Sequence, residues 1–198
     1  MKKLHVKVTY IESLLGTASA DPEIYSNFIG SLAPDAPTRE EEVAIIGAQE
    51  VEEKSMTVFP RTEDGVPFTY DYQWKGFFKE SCGMLRRVKG TESSKRKAYK
   101  KEIDGLVFPE PRKIPLILPE GGSIGNCQRP LRGSTAQGER IALANSESVP
   151  AGTTQEFDIM LLDEGMEKVV REWLEYGELH GTGQWRNSGH GRFTCEIS

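Results

Sequence analysis

Apolar and polar positions alternate from the first residues of the chain. Leu4, Val6, Val8 and Tyr10 fall on one side and His5, Lys7 and Thr9 on the other, which predicts a half-buried strand over 4–10. Asp21-Pro22-Glu23 reads as a helix start, with an acidic cap and a proline at the first helical position. Ile24, Tyr25, Phe28 and Ile29 give that short helix an apolar side, and Pro34 and Pro37 end it. Thr38-Arg39-Glu40-Glu41-Glu42 opens a second, acidic helix with Val43, Ile46 and Val51 facing inward. Residues 56–59 and 66–70 predict a hairpin joined across Glu63-Asp64-Gly65.

A longer amphipathic pattern follows over 73–88. Trp74, Phe77, Phe78, Cys82, Leu85 and Val88 recur at helical spacing, with Lys75, Lys79, Arg86 and Arg87 off that face. Strand material at 106–108 and 114–118 is interrupted by Pro109, Pro111 and Pro115, so it reads as an edge or a bent ribbon. Residues 126–132 and 140–144 predict a second ribbon, and 157–162 a strand. Met166, Val169, Val170, Trp173 and Leu174 define a last helix, which Gly177 is expected to terminate. A short strand over 192–197 closes the chain.

Without its insertions, this order is strand, helix, strand, strand, helix, strand. The fold class is therefore read as α+β: a ferredoxin-like (RRM-type) antiparallel sheet with helices on one face. Two long insertions, at about 16–70 and 119–150, interrupt a single domain spanning 1–198. Internal repeats, low-complexity stretches and an inter-domain linker are absent from the sequence.

A net charge of −5 argues against nucleic-acid binding until its distribution is considered. Eight bases (Arg86, Arg87, Lys89, Lys95, Arg96, Lys97, Lys100, Lys101) lie between 85 and 101 against the single acid Glu92. From 35 to 64 the balance reverses, with nine acids to three bases. An acidic protein with one basic face still attracts phosphate; a solvated, charged helix end is the alternative reading. Apolar runs are too short to cross a bilayer, and the amino-terminal stretch lacks the apolar core of a signal peptide. Cys82, Cys127 and Cys195 are odd in number and widely spaced, which fits neither a disulfide framework nor a zinc site. The expectation is a cytoplasmic protein with no membrane contact, metal or cofactor.

The densest candidate chemistry lies near the carboxyl end, in Gly181-Thr182-Gly183-Gln184-Trp185-Arg186-Asn187-Ser188-Gly189-His190-Gly191. Two Gly-x-Gly pairs five residues apart sit between the last helix and the last strand. Glycines Gly181, Gly183, Gly189 and Gly191 let the backbone take positive φ and turn N–H groups outward, a geometry that cradles phosphate. Trp185 offers a stacking surface beside Arg186 and Arg192. The plainer readings are a tight turn for the loop and a core aromatic for Trp185.

This loop is similar to the glycine-rich loop of the CRISPR-associated RAMP superfamily, written GhGxxxxxGhG, although Thr182 and His190 are less apolar than that pattern. A second segment, 72–86, resembles the family's Lys-Gly helix in Lys75-Gly76 and Leu85-Arg86, with Gln73-Trp74 where the family has Ser-Ser. The resemblance covers about a third of the chain directly. It implies binding of single-stranded, guide-type RNA through its backbone, with other protein subunits as partners. Lys75, Lys79, Arg86 and Arg87 would then neutralise phosphates, the loop would hold a bend of the strand, and Arg129 and Arg132 would clamp from a ribbon.

Some members of that family cut RNA without metal, through a histidine. The histidines here are His5, His180 and His190. His5 lies on the polar side of the first strand, as a surface residue would. His180 and His190 flank the loop, and as an acid–base pair they would make a metal-independent endoribonuclease. Nucleophile elbows, P-loops and dinucleotide fingerprints are absent from the sequence. Three readings stand: an RNA-binding subunit or mimic of a CRISPR-type ribonucleoprotein, an assembly protein on the same fold, and the nuclease. RNA and single-stranded DNA are not separated by the sequence.

Overall fold

The computed structural model describes residues 1–20, 56–135 and 138–198, the side chains of 131–142 excepted. In chain order the strands and helices are β1 (Lys2–Tyr10), β2 (Leu14–Leu15), β3 (Ala18–Ser19), β4 (Thr57–Val58), β5 (Phe68–Tyr70), α1 (Asp71–Leu85), α2 (Tyr99–Leu106), β6 (Val107–Glu110), β7 (Lys113–Pro115), β8 (Gly125–Thr135), β9 (Gly138–Val149), β10 (Thr154–Leu161), α3 (Glu167–His180) and β11 (Phe193–Ile197). The chain divides into two compact units. The first takes Met1–Leu14, Pro60–Ser123 and Val149–Ser198; the second takes Leu15–Phe59 and Ile124–Ser148.

The first unit is an α+β layer. Its four-stranded sheet runs β11-β1-β10-β6. Strand β1 is antiparallel to β10 (Leu4 opposite Ile159, Val6 opposite Phe157) and to β11 (Val8 opposite Cys195, Tyr10 opposite Phe193). Strand β6 pairs with the outer side of β10, Met160 opposite Phe108. The period-2 pattern puts Leu4, Val6, Val8, Tyr10, Phe157, Ile159, Leu161 and Phe193 on one buried face. Helices α1 and α3 lie on that face: Trp74 packs at 4.6 Å on Phe157 and 5.5 Å on Phe193, and Phe78 at 5.7 Å on Trp173. Each such buried aromatic removes enough apolar area from water to contribute about 1.5–3 kcal/mol. Buried Gln155 is matched by Tyr10 Oη, which donates at 2.8 Å, and it donates in turn to Thr69 Oγ1 (2.8 Å) and the Ile114 carbonyl (3.0 Å). The opposite face of the sheet carries ion pairs, Lys3 on Asp158 at 2.7 Å and Lys7 on Glu156 at 2.9 Å, with His5 Nδ1 2.9 Å from Asp158 Oδ1.

Several boundaries differ from the sequence reading. Gly177 does not end the last helix, which continues to His180. It lies buried under Phe193, where an added Cβ would sit 2.1 Å from the ring, so packing rather than termination requires glycine there. Gly181, at φ 73°, ends the helix instead. Helix α1 begins two residues earlier than expected and stops at Leu85, leaving Val88 53% exposed. The sequence reading placed no helix at 99–106, where α2 forms with Ile103 as its buried anchor and takes Leu106 from the expected strand. The expected hairpin is also different. Strand β4 pairs with β3 and β9, while β5 pairs with β7. The turn at 62–65 closes only a short bridge, Arg61 to Pro67.

In the second unit β8 and β9 form a long antiparallel ribbon, Cys127 opposite Ser146, and β4 adds to β9 in parallel at Thr57. The helices expected at 21–29 and 38–51 lie outside the described residues.

Candidate nucleic-acid interface

The glycine loop between α3 and β11 is pinched at its base. The Thr182 N–H donates to the Gly191 carbonyl at 2.9 Å, and the Gly191 N–H to the Ser13 carbonyl at 2.9 Å. A Cβ on Gly191 would come within 1.9 Å of the Thr182 oxygen, and one on Gly181 within 2.6 Å of the His190 oxygen; both residues have positive φ. The outer glycines are thus required where two backbones cross in contact. Inside the neck, 186–188 form one 3-10 turn closed by the Gly189 N–H on the Arg186 carbonyl at 2.7 Å. The N–H groups of Gly181, Thr182, Ser188, Gly189 and Gly191 are therefore donated within the protein, and an anion at the loop would depend on the remaining amides and on side chains.

Trp185 sits at the apex in the left-handed region (φ 55°, ψ 36°), the one non-glycine residue with positive φ among the described residues. That conformation costs about 1–2 kcal/mol for a side-chain-bearing residue. Its ring stacks on His190 at 4.9 Å and 15°, and His190 Nδ1 lies 2.9 Å from Ser13 Oγ. Trp185 is nonetheless 38% exposed. It is a surface aromatic held in a fixed orientation, not a core residue.

Arg186 folds back onto α1. Its guanidinium bonds the Glu80 carboxylate, which also accepts from His180 Nε2 at 3.1 Å; His180 stacks on Tyr176 at 5.1 Å. Partial burial pushes the Glu80 carboxyl up, but the bonds and charges of Arg186 and His180 outweigh it and hold it below the ordinary carboxylate range. His180 and His190 thus have separate partner sets.

The basic candidates on α1 fall into two groups. Lys79 Nζ is 2.6 Å from Asp104, and Lys75 donates to the Asp104 carbonyl at 3.2 Å with its charge 4.1 Å from the Phe108 ring centre. Burial lowers the Lys75 ammonium below its usual range despite the nearby acids. These two cations are occupied by α2 and β6. Arg86 and Arg87 are exposed; Arg86 lies 5.4 Å over Tyr99, and Arg87 meets no partner side chain among the described residues. Glu80 lies in the last two turns of α1, and Arg86 and Arg87 follow directly on its last residue, Leu85.

Glu172 of α3 was not singled out in the sequence. Its carboxylate accepts from the N–H groups of Glu92 (2.6 Å) and Ser93 (3.0 Å) and from Ser93 Oγ (2.5 Å), and Trp173 Nε1 donates to the same hydroxyl at 2.9 Å. This pins the turn at Ser93–Lys95, which leads past Lys97 into α2 with Lys100 and Lys101. Only the buried Ser93 and the helical register of Glu172 could have signalled it.

The ribbon candidates lie in the second unit. Arg129 is 7% exposed, with Nη1 3.5 Å from Ser146 Oγ, so its guanidinium is buried instead of being presented to solvent. Arg132 lies on β8 opposite Ile141, its side chain outside the described set. Among the described residues no group of three His, Cys, Asp or Glu side chains is arranged to hold a metal ion, and no helix is long and apolar enough to cross a membrane.

No protein-family model matches the sequence, and no curated protein matches it. The fold does have solved counterparts. A chain of the type III-B Cmr-beta bound to cognate target RNA, solved by cryo-electron microscopy, aligns over 99% of this chain at 15% identity and a TM-score of 0.52. This chain spans 59% of that one's length. A chain of a type IV-B CRISPR complex aligns over 100% of this chain and 90% of its own at 12% identity and a TM-score of 0.50. Cmr6 from Pyrococcus furiosus aligns over 98% and 97% at 12% identity and a TM-score of 0.48. The first two show a fold held in common with chains of CRISPR complexes.

Proposed function

We propose that this chain is a RAMP-like, RNA-binding subunit of a CRISPR-type ribonucleoprotein, working in the cytoplasm and holding single-stranded, guide-type RNA by its backbone. In this reading the β11-β1-β10-β6 sheet with α1 and α3 is a ferredoxin-like core. The insertions at about 16–70 and 119–150 elaborate one RAMP-like domain, and other subunits complete the groove. The observation that carries the reading is the juxtaposition along α1: an exposed arginine pair at its end, and a rigid glycine loop with an exposed tryptophan fastened to its last two turns through Glu80. The shared fold supports the same class of role.

Arg86 and Arg87, with Lys97, Lys100 and Lys101, would take phosphates, and Trp185 would stack a base. Lys75, Lys79 and Arg186 would hold the shape of the site, since their charges are already matched. Cleavage would require His180 or His190 to leave the partners that now hold them, so the nuclease reading ranks below binding.

The test is binding of a labelled single-stranded RNA of about 30 nucleotides at two salt concentrations, with the matching DNA as control. Salt-sensitive binding is expected. Replacing Arg86 and Arg87 by Ala should weaken it and reduce the slope of log K against log salt by about 1.4. Absence of binding at low salt, or an unchanged slope in the double variant, would count against the reading.

A further inference from the structure

A second aromatic surface stands at the other end of α1, and neither the loop nor the basic run uses it. Phe68, Tyr70 and Tyr72 form a graded column. Phe68 is buried and packs edge-on to Tyr70 at 5.0 Å; Tyr70 stacks on Tyr72 at 5.2 Å and 18°; Tyr72 is 42% exposed. Two cations border it: the Arg112 guanidinium lies 5.7 Å from the Tyr70 ring centre, and the Lys113 ammonium 5.4 Å from that of Phe68.

The column is held by backbone geometry. Strands β5 and β7 pair with Tyr70 opposite Lys113, and the Asp71 N–H donates to the Arg112 carbonyl at 3.0 Å. The Tyr70 N–H donates to Gln73 Oε1 at 2.8 Å, fixing the turn into α1, and Arg112 is braced by Asp71 at 3.3 Å. An exposed ring already stacked on a second ring, with cations at its margin, has the composition of a single-stranded nucleic-acid platform: the ring takes a base face and the cation the adjoining phosphate.

We propose that Tyr72, backed by Tyr70 and bordered by Arg112 and Lys113, is a base-stacking subsite for one unpaired nucleotide of single-stranded RNA. It rests on the RNA-binding reading and adds a base contact to one built on phosphates. Tyr72 precedes Glu80 by eight residues of helix, or about 12 Å, so one strand running along α1 would meet Tyr72 and Trp185 in turn.

The experiment measures the affinity of the full chain for labelled single-stranded RNA and for an abasic oligoribonucleotide of equal length. The proteins compared are the unsubstituted chain, Tyr72→Ala, Tyr72→Phe and Arg112→Ala. Tyr72→Ala should weaken RNA binding about 5- to 150-fold, the range expected for one base–aromatic stack. It should leave binding of the abasic strand unchanged, and Tyr72→Phe should keep nearly full affinity. Arg112→Ala should weaken both strands. If the unsubstituted chain binds RNA and Tyr72→Ala binds equally well, the subsite is overturned while the RNA-binding reading stands, and a protein contact becomes the use of this surface. If the unsubstituted chain binds neither strand, both fall. Equal loss in the Phe and Ala variants would also overturn stacking, since the ring would not be the group that matters.

Discussion

Replacing Glu172 by Ala tests how the basic run is held, independently of any ligand. The carboxylate accepts three hydrogen bonds, from Glu92 N–H, Ser93 N–H and Ser93 Oγ, and Ser93 is fully buried. A hydrogen bond to a charged group contributes about 1.5–3 kcal/mol. The three share one acceptor and are not additive, so the loss is set near the cost of stranding the buried Ser93 donors, about 3 kcal/mol. Trp173 Nε1 still reaches the Ser93 hydroxyl, which limits the damage. For a chain of this size 3 kcal/mol corresponds to a fall in Tm of about 6–12 °C. Glu172→Gln keeps one carbonyl oxygen and the side-chain shape, and should lose about half as much. The assay is urea unfolding at neutral pH followed by tryptophan fluorescence, comparing midpoints at unchanged slope. A Glu172→Ala midpoint within about 0.5 kcal/mol of the unsubstituted protein would refute the reasoning, because that is the scale of an inconsequential surface change.

Other predictions follow from the same contacts. Gly191→Ala should destabilise by more than about 2 kcal/mol in thermal melts, since its Cβ would meet the Thr182 oxygen at 1.9 Å and its φ is positive; Gly65→Ala, with positive φ and open space, should cost only about 1 kcal/mol. The depressed Glu80 carboxyl contributes stability that is fully present above about pH 4.3 and lost as pH falls through its lower folded value. In pH-dependent melts Glu80→Gln should therefore be less stable at neutrality, by on the order of 1 kcal/mol after solvent screening, and the two proteins should converge in acid. Burial pushes the Cys195 thiol up to about 11, so at pH 8 only about one molecule in a thousand carries the thiolate, and iodoacetamide labelling read by mass spectrometry should be far slower than for a free thiol. Trp185→Ala should reduce RNA affinity by about 1–3 kcal/mol in titrations; alanine keeps the Cβ and with it the left-handed strain, so stability should change only by the lost stack on His190.

What the sequence made legible was the part governed by local periodicity. Strand β1 and helices α1 and α3 carry simple alternating or helical patterns, and their buried faces follow them; the β8–β9 pairing also falls where the sequence placed a ribbon. What it did not make legible depends on partners distant in the chain. Gly177 reads locally as a stop, but its reason is Phe193, sixteen residues on. Strand β4 sits beside a turn that suggests a hairpin, yet its partners are β3 and β9. Helix α2 is half charged, only eight residues long and buries one residue, Ile103, too weak a period to recognise. In the candidate site the loop and its tryptophan were visible as a motif. Glu80 and Glu172, which decide where loop and basic run are held, were not, because a carboxylate on a helix looks the same whether it faces water or an arginine.

Those carboxylates also explain how a chain of net charge −5 keeps a basic edge. Charge balance is local. Asp104 answers Lys79, Glu80 answers Arg186, Glu92 answers Lys95 and Glu102 answers Arg96, each at salt-bridge distance. The cations removed in this way are those that fix helix, loop and turn against one another. Arg87, Lys89, Lys97, Lys100 and Lys101 are left exposed beyond the matched pairs, on either side of the turn that Glu172 pins. Neutralising an inner cation should then show mainly as lost stability, and neutralising an outer one mainly as lost affinity with a shallower salt dependence. Lys79→Met and Arg87→Met, each carried through melting and RNA titration, separate the two groups. Lys79→Met should lower Tm and leave the salt slope unchanged; Arg87→Met should lower the slope by about 0.7 and leave Tm in place. The reverse pairing would mean that the cations are divided the other way, and that the strand runs along the α2 side of α1.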